Sequence, residues 1–531
     1  METQKAVVIG TGAGGLAATA HLAREGLDVV ALEQADRIGG WIAPFDLDGY
    51  EFSPGVHYLG QCYPGGMLYE FFEELEMNPD EMFIELDPDG FDVYDFPDLE
   101  ISMCSGFEAY RDRLVSTFPK DVEAIDEYMD LVRQMRRFGK LEQTLRTKRP
   151  SFSDITDAIR ALGLGRWMRA TYGELLEHVT DNHRLRSVLA GACGDYGLPP
   201  SKASAFVGLS VFAHYLEGAF YPKRGAATLR DGLVELAEES GVTFRTESPV
   251  RNIEIEDDGA TAVELADGET IEADVIVSAI DPTITYGSLL PARHQPMRLR
   301  TKVAETEPSL GTIQFFIGIE GDVSERGIGQ FNRWSYPWWD IDALYSPLFD
   351  DELGETHGFF LSSESAKVPQ AGLAPEGCST LEIVTFAPFR PFQDAARGGH
   401  GERGEEYAEL KEQIKEDYLA EISERYPDLL DDMTMCEVST PLTIEHYVSG
   451  VAGGAYGPAE TPEQSFTGRF SISSPIPNLF LAGSGTYGGG VTPCLLSGRS
   501  AARAALKYIH RKTEGSTFRI GDWLRGERRS E

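Results

Sequence analysis

Six cysteines occur in the 531 residues, at positions 62, 104, 193, 378, 436 and 494, and no two stand close enough to form a CxxC pair. A disulfide scaffold, a cysteine zinc site and a redox cysteine pair are therefore not indicated, and a reducing cytosol fits. Long apolar runs are missing as well. The nearest, 205–221, is interrupted by Ser210, His214 and Glu217, short of the roughly 18 uninterrupted apolar residues that a membrane span needs. A buried strand expected from about Lys5 leaves no room for the charged start and cleavage site of a signal peptide, so a cytoplasmic protein is expected. Basic charge is scarce: 47 Lys and Arg face 86 Asp and Glu, a net charge of −39. Such a surface repels phosphate backbones, which excludes nucleic acid as a partner. It also repels itself unless salt screens it, which fits a high-salt cytosol; an ordinary acidic enzyme is the alternative.

What is present is informative at both ends. Lys5-Ala-Val-Val-Ile9 is a β-branched apolar run of the kind buried on both faces in a parallel sheet. Gly10-Thr-Gly12-Ala-Gly14-Gly15 follows at once and reads GxGxxG; an Ala- and Leu-rich helix is expected over 16–25, ended by Gly26. Val29 to Leu32 is the second strand, with Glu33 at its end. Gly10 permits the tight turn, Gly12 lets backbone approach a pyrophosphate, and Gly15 lets helix and strand pack closely. The phosphates would rest on the free amides and positive end of the helix, and Glu33 is placed to accept from a ribose diol. A further glycine pair in Asp36-Arg37-Ile38-Gly39-Gly40 gives backbone another close approach, which favours FAD over NAD.

Asn478 to Ala482 reads as a strand, 483–490 as a glycine loop, and Thr492 to Lys507 as a helix with Pro493 in its first turn. Its N-terminus would face the flavin ring and stabilise reduced-flavin anion. Between the ends, alternation at Val250, Ile253, Ile255, Val263 and Leu265 with Asp-Gly turns predicts an antiparallel meander, returning through a buried strand at 275–278. No other dinucleotide motif follows a strand, so an external electron donor or acceptor is required.

With these residues in hand, the chain resembles the phytoene desaturase-like flavoproteins, especially their retinol saturase and carotenoid isomerase branch. The resemblance runs over 8–60, 221–290 and 477–504, and includes Gly55-Val-His-Tyr-Leu-Gly60, Gly194-Asp-Tyr-Gly-Leu-Pro-Pro200 and His214 to Pro222. It implies an α/β fold: a Rossmann-like FAD-binding domain of the glutathione-reductase and amine-oxidase type, with an inserted substrate domain of mixed sheet and helices. The expected division is 1–70, 222–295 and 466–512 for FAD, 71–221 as a helical lid facing a membrane, 296–465 for substrate, and 513–531 as a polar tail. By position, Gly10, Gly12, Ala13, Gly14, Gly15, Glu33, Gln34, Arg37, Gly39, Gly40, Trp41, Val250, Gly483, Ser484, Gly485, Val491 and Thr492 would hold FAD. Two departures stand out, Arg224-Gly225 where the family commonly has two glycines and Ser484 in the last loop. The implied reaction is hydride exchange at carbon-carbon double bonds of a long apolar polyene or isoprenoid. A flavin amine oxidase or protoporphyrinogen oxidase, and a flavin-free prenyl-binding chaperone of the GDP-dissociation-inhibitor kind, are the alternatives.

Flavin carries the hydride, so the protein must position a carbon, exclude water and handle at most one proton. Candidate donors are Tyr221, Tyr215, His214, His57 and Tyr58, each with the alternative of a satisfied core residue. Cys494, beside a helix start, reads as a small buried cap residue. Arg133, Arg136, Arg137, Lys140, Arg146, Lys148 and Arg149 alternate with apolar residues, a basic amphipathic helix that either docks on an anionic bilayer or pairs with acidic neighbours. Seven aromatics over 331–349 fit a tunnel wall, an interfacial belt or core packing. No metal-ligand spacing is found, and His400 among glycines reads as part of a mobile loop.

Overall fold

The computed structural model describes residues 3–147, 161–256 and 259–514. The five strands Thr243–Arg245, Asp28–Leu32, Lys5–Ile9, Val275–Ser278 and Leu479–Leu481 lie in that order, all parallel. Because side chains alternate along a strand, Ala6 and Val8 face one way, onto Ala18 and Leu22 of the Ala13–Arg24 helix and Ala502 and Ala505 of the Val491–Glu514 helix. Val7 and Ile9 face the other way, onto Ile253, Val263 and Leu265 of the meander. The strands are therefore buried on both faces, which is why they read as continuous apolar runs. The meander pairs Val250–Glu256, Gly259–Leu265 and Thr270–Glu272 antiparallel, as its alternation predicts.

A second sheet of seven strands runs Met433–Ser439, Gly311–Glu320, Cys378–Ala387, Phe359–Ser362, Asn332–Ser335, Asp92–Phe96 and Leu99–Met103. Ile313, Phe315, Ile317, Leu381 and Ile383 on one face pack against Ile414, Tyr418 and Ile422 of the Glu405–Arg425 helix. Thr312, Gln314, Phe316, Val384 and Phe386 point instead into a large cavity between the two sheets.

The 71–186 stretch departs from its helical expectation. It contains the strands Phe83–Glu85, Asp92–Phe96 and Leu99–Met103 beside its helices. Asp92–Phe96 pairs parallel with Asn332–Ser335, and the Asp92–Asn332 side-chain hydrogen bond spans 240 residues. A pairing so distant leaves no local periodicity to read. The last helix also extends further than 492–507. Among the described residues, no helix is long and apolar enough to cross a membrane.

Candidate functional site

The first glycine loop is a cradle set by contact distances. Gly10 has φ +88°, which its lack of a side chain permits, and a Cβ at Gly15 would sit 1.9 Å from the Gly10 carbonyl oxygen, so the helix meets the strand end only because Gly15 has none. A Cβ at Gly12, by contrast, would meet nothing within 4 Å. That face opens onto the cavity. Glu33 accepts from the Thr11 amide (3.0 Å) and hydroxyl (2.6 Å) and from the Ala35 amide (3.0 Å). Its carboxylate is thereby held at the cavity edge with lone pairs left over for a diol.

Of the expected cofactor residues, Gly10, Gly12, Ala13, Gly14, Glu33, Gln34, Arg37, Gly40, Trp41, Val250, Gly483, Ser484, Val491 and Thr492 line one cavity. Gly15, Gly39 and Gly485 do not. Gly15 serves the helix-strand crossing; Gly39 takes φ +122° in the turn; a Cβ at Gly485 would lie 2.3 Å from Pro282. All three shape the loop from behind. The second glycine loop meets the first at Gly14, whose Cβ would lie 2.8 Å from the Gly483 nitrogen. At the start of the Val491–Glu514 helix the Thr492 hydroxyl is buried without a hydrogen-bond partner among the described residues. A buried ion pair, Arg469 with Glu460, flanks this end, and Glu460 also accepts from the Gly489 amide at 3.0 Å. An open glycine face, a pinned acidic residue and an orphaned hydroxyl at a helix N-terminus together fit the diphosphate, ribose and ring of FAD.

The cavity has a volume of ≈ 2160 Å³ and continues from the glycine loops to a wall of Trp334, Tyr336, Leu344, Tyr345, Phe360 and Phe386. The aromatic-rich 331–349 segment thus divides. Trp334, Tyr336 and Tyr345 form the wall, Trp339 stacks on Phe96 at 4.5 Å, and Trp338 and Phe349 are exposed.

The proton-donor candidates also divide. His214 accepts the Gly60 amide hydrogen on Nε2 at 3.0 Å, and burial holds it down to about 4, so the ring is neutral and structural. Tyr215 stacks on Tyr58 at 4.3 Å, and both line the cavity. Tyr221 is fully buried and does not line it, because its strand, Ala219–Pro222, sits between Leu59–Gly60 and Phe83–Glu85. Tyr58 donates to Asp195 Oδ2 at 2.7 Å. Asp195 lines the cavity, and its carboxyl is held well above the ordinary carboxylate range by burial first and by neighbouring Asp92 second. Burial thus favours its protonated form beside the aromatic wall. Asp195 stands in the 194–200 segment, and nothing in that segment signals its ionisation, because Asp92 and Tyr58, the groups that act on it besides burial, lie far away in the chain. His57 also lines the cavity, with its Nδ1 3.4 Å from Glu382 Oε2. Burial pushes the Cys494 thiol up to about 12, as befits an inert packing residue.

On the Val122–Thr147 helix, Arg133 and Arg136 pair with Glu108 and Glu217 and stack on Phe107. Those two cations are neutralised within the fold; the side chains of Lys140, Arg146, Lys148 and Arg149 lie outside the described residues. His400 is not in a free loop, since it stacks on His446 at 3.9 Å and lies 3.3 Å from the Tyr447 hydroxyl.

The chain matches the family described as flavin containing amine oxidoreductase over residues 13–334 and 395–506. It is 29% identical over 509 residues to an all-trans-retinol 13,14-reductase of Danio rerio, covering 91% of this chain and 82% of that one. It is 26% identical over 516 residues to a carotenoid 3,4-desaturase of Haloarcula japonica, covering 94% and 98%. Among solved structures, an oxidoreductase from Methanosarcina mazei superposes with a TM-score of 0.64 at 15% identity, covering 94% of this chain and 100% of that one. Putrescine oxidase bound to putrescine superposes at 0.62 and 15% identity, covering 95% and 99%.

Proposed function

The chain belongs to the flavin containing amine oxidoreductase family and its cofactor is FAD; from that premise we propose that it exchanges hydride with a carbon-carbon double bond of a long apolar polyene or isoprenoid. One observation carries this reading. The glycine cradle opens without a break into a cavity whose far wall is aromatic and aliphatic, from Trp334 through Tyr345 to Phe386. An amine substrate would call for an ionised carboxylate anchor at that wall, whereas burial pushes the carboxyl beside it, Asp195, towards its protonated form, and the wall side chains offer dispersion contacts along an extended chain. The retinol reductase and carotenoid desaturase relatives support the same substrate class.

Gly10, Gly12 and Gly14 would take the diphosphate, Glu33 the ribose, and Val491 and Thr492 the ring. FAD supplies the two-electron hydride chemistry when bound. The chain's part is to exclude water, align one double bond and move one proton. Asp195 is suited to that proton. Kept neutral by burial, it can give its proton to the substrate carbon opposite the incoming hydride, and the Tyr58 hydroxyl then stabilises the carboxylate that forms. Run backwards, the same pair takes a proton as hydride leaves the substrate.

The test is anaerobic photoreduction of the purified yellow protein followed by incubation with retinol, lycopene isomers or phytoene, with products separated by chromatography. Photoreduction makes a natural electron donor unnecessary. A product with one double bond fewer, or an isomer formed only with reduced flavin, is expected. Turnover of putrescine-like amines by the oxidised protein in air, with no reaction of any polyene in either flavin state, would overturn the reading.

A further inference from the structure

Behind the cavity wall lies a cluster of ionisable groups that the proposed reaction does not use. His57, Glu364 and Glu382 each offer one ligand atom, and these atoms all lie within 4.8 Å of one another. Glu364 and Glu382 are each about 1% exposed. Glu382 Oε1 accepts from the Ser53 amide at 3.0 Å, but Glu382 Oε2, Glu364 Oε1 and His57 Nδ1 have no hydrogen-bond partner among the described residues. The hydroxyl of fully buried Tyr221 faces Glu364.

The obvious counter-ion is occupied elsewhere. Lys367 is buried, and its ammonium donates to the His57 carbonyl (2.6 Å), Asn332 Oδ1 (2.6 Å) and Ser362 Oγ (2.7 Å). All three hydrogens are spent on neutral oxygens. Asn332 in turn donates to Asp92 Oδ1 at 2.9 Å. Three buried carboxyl groups, Asp92, Glu364 and Glu382, thus surround one ammonium, and ionised together they leave two negative charges uncompensated. Isolated charges at such depth are not tolerated; they are paired, protonated or metal-bound. Two protons or one divalent cation would restore neutrality.

The donor set decides between them. A shared proton needs short, linear oxygen-oxygen or oxygen-nitrogen contacts, whereas Glu382 Oε2 and His57 Nδ1 stand 3.4 Å apart outside hydrogen-bond geometry. Donor atoms around a cation at roughly 2.0–2.2 Å fall about 3–4 Å apart, which small side-chain rotations would achieve. One imidazole nitrogen and two carboxylate oxygens form a mixed nitrogen-oxygen set of ligand types that zinc accepts, and His57 lines the cavity, giving a route of entry. We propose that His57, Glu364 and Glu382 bind one divalent transition-metal cation of the zinc type, tying the Ser53–His57 segment of the cavity wall to the seven-stranded sheet.

The experiment uses the flavin-bearing full chain, dialysed against a chelator and then titrated with Co2+ as the probe. One equivalent is expected to bind, with ligand-field bands beyond 500 nm, displacement by Zn2+, and a single paramagnetically shifted imidazole N–H resonance. Glu364→Gln and Glu382→Gln should weaken binding by at least about 100-fold while keeping the flavin spectrum. If a variant fails to fold, the wild-type resonance decides by itself. Absence of saturable Co2+ binding to the native protein, absence of an imidazole ligand, or unchanged affinity in the folded variants would show that protons neutralise the cluster and would overturn the proposal. Since the readout is metal content and spectrum, failure here leaves the polyene reading intact, and the reverse holds too.

Discussion

The Tyr58 hydroxyl donates to Asp195 Oδ2 at 2.7 Å across 137 residues of sequence, placing a carboxyl group whose protonated form burial favours and a phenol together on the cavity wall. Substituting Asp195→Asn keeps the shape and the hydrogen bond but removes the proton. Flavin absorbance should be unchanged, and the rate of product formation with photoreduced protein should fall by roughly 10²–10⁴. In the saturating direction the wild-type rate should decline as pH rises through the raised value of Asp195, because only the protonated acid can donate. A fully active D195N protein would remove Asp195 from the mechanism.

Gly12 and Gly15 make a paired test of the cradle. A Cβ at Gly15 collides with the Gly10 carbonyl at 1.9 Å, whereas one at Gly12 meets open space. Gly15→Ala should therefore lower the melting temperature and lose flavin together. Gly12→Val should melt close to the wild type without bound ligand, yet purify colourless, because its side chain takes the space of the diphosphate. Retention of flavin in G12V, measured by absorbance after gel filtration, would contradict the assignment of that loop.

His214 gives a pH dependence of definite sign. Burial lowers it from 6.5 to about 4, so the folded state holds it neutral while the unfolded chain protonates it below 6.5. Between pH 6.5 and about 4 the unfolded state binds more protons, and this residue's contribution to stability, present above 6.5, is lost as pH falls, at up to about 1.4 kcal/mol per pH unit. Urea midpoints of wild type and His214→Gln should differ least at pH 5 and most at pH 7.5, where the neutral imidazole accepts the Gly60 amide. Parallel curves for the two proteins would mean His214 does not titrate in that window.

The net charge of −39 predicts a salt response. Most acidic side chains of the Glu405–Arg425 helix are exposed, and mutual repulsion among such groups falls as the screening length shortens from about 10 Å at 0.1 M to about 3 Å at 1 M salt. The melting temperature should rise by several degrees between 0.1 and 2 M KCl, in differential scanning fluorimetry at constant pH. A flat response would indicate an ordinary acidic enzyme with no dependence on salt.

The parallel sheet, the glycine cradle, Glu33, the meander and the closing helix were legible in the sequence because each is local: strand, turn and helix write their period and their glycines within about thirty residues. The resemblance to flavoproteins of the phytoene desaturase kind rests on those same segments, and the family match agrees with it. The long strands of the second sheet leave a weaker local trace, and the helical expectation for 71–221 misses Asp92–Phe96 because its partner Asn332–Ser335 lies far along the chain.

Local chemistry also determined which glycines must be glycine, since a missing Cβ is a property of one residue and its near neighbours. What the tertiary structure alone decided was ionisation and access. Whether a histidine is neutral, an aspartic acid keeps its proton, or a tyrosine reaches the cavity depends on water being excluded by side chains from distant strands, and desolvation has no signature in the order of residues. His57, Glu364 and Glu382 carry no metal spacing in one dimension, yet folding brings their donor atoms within 4.8 Å of one another.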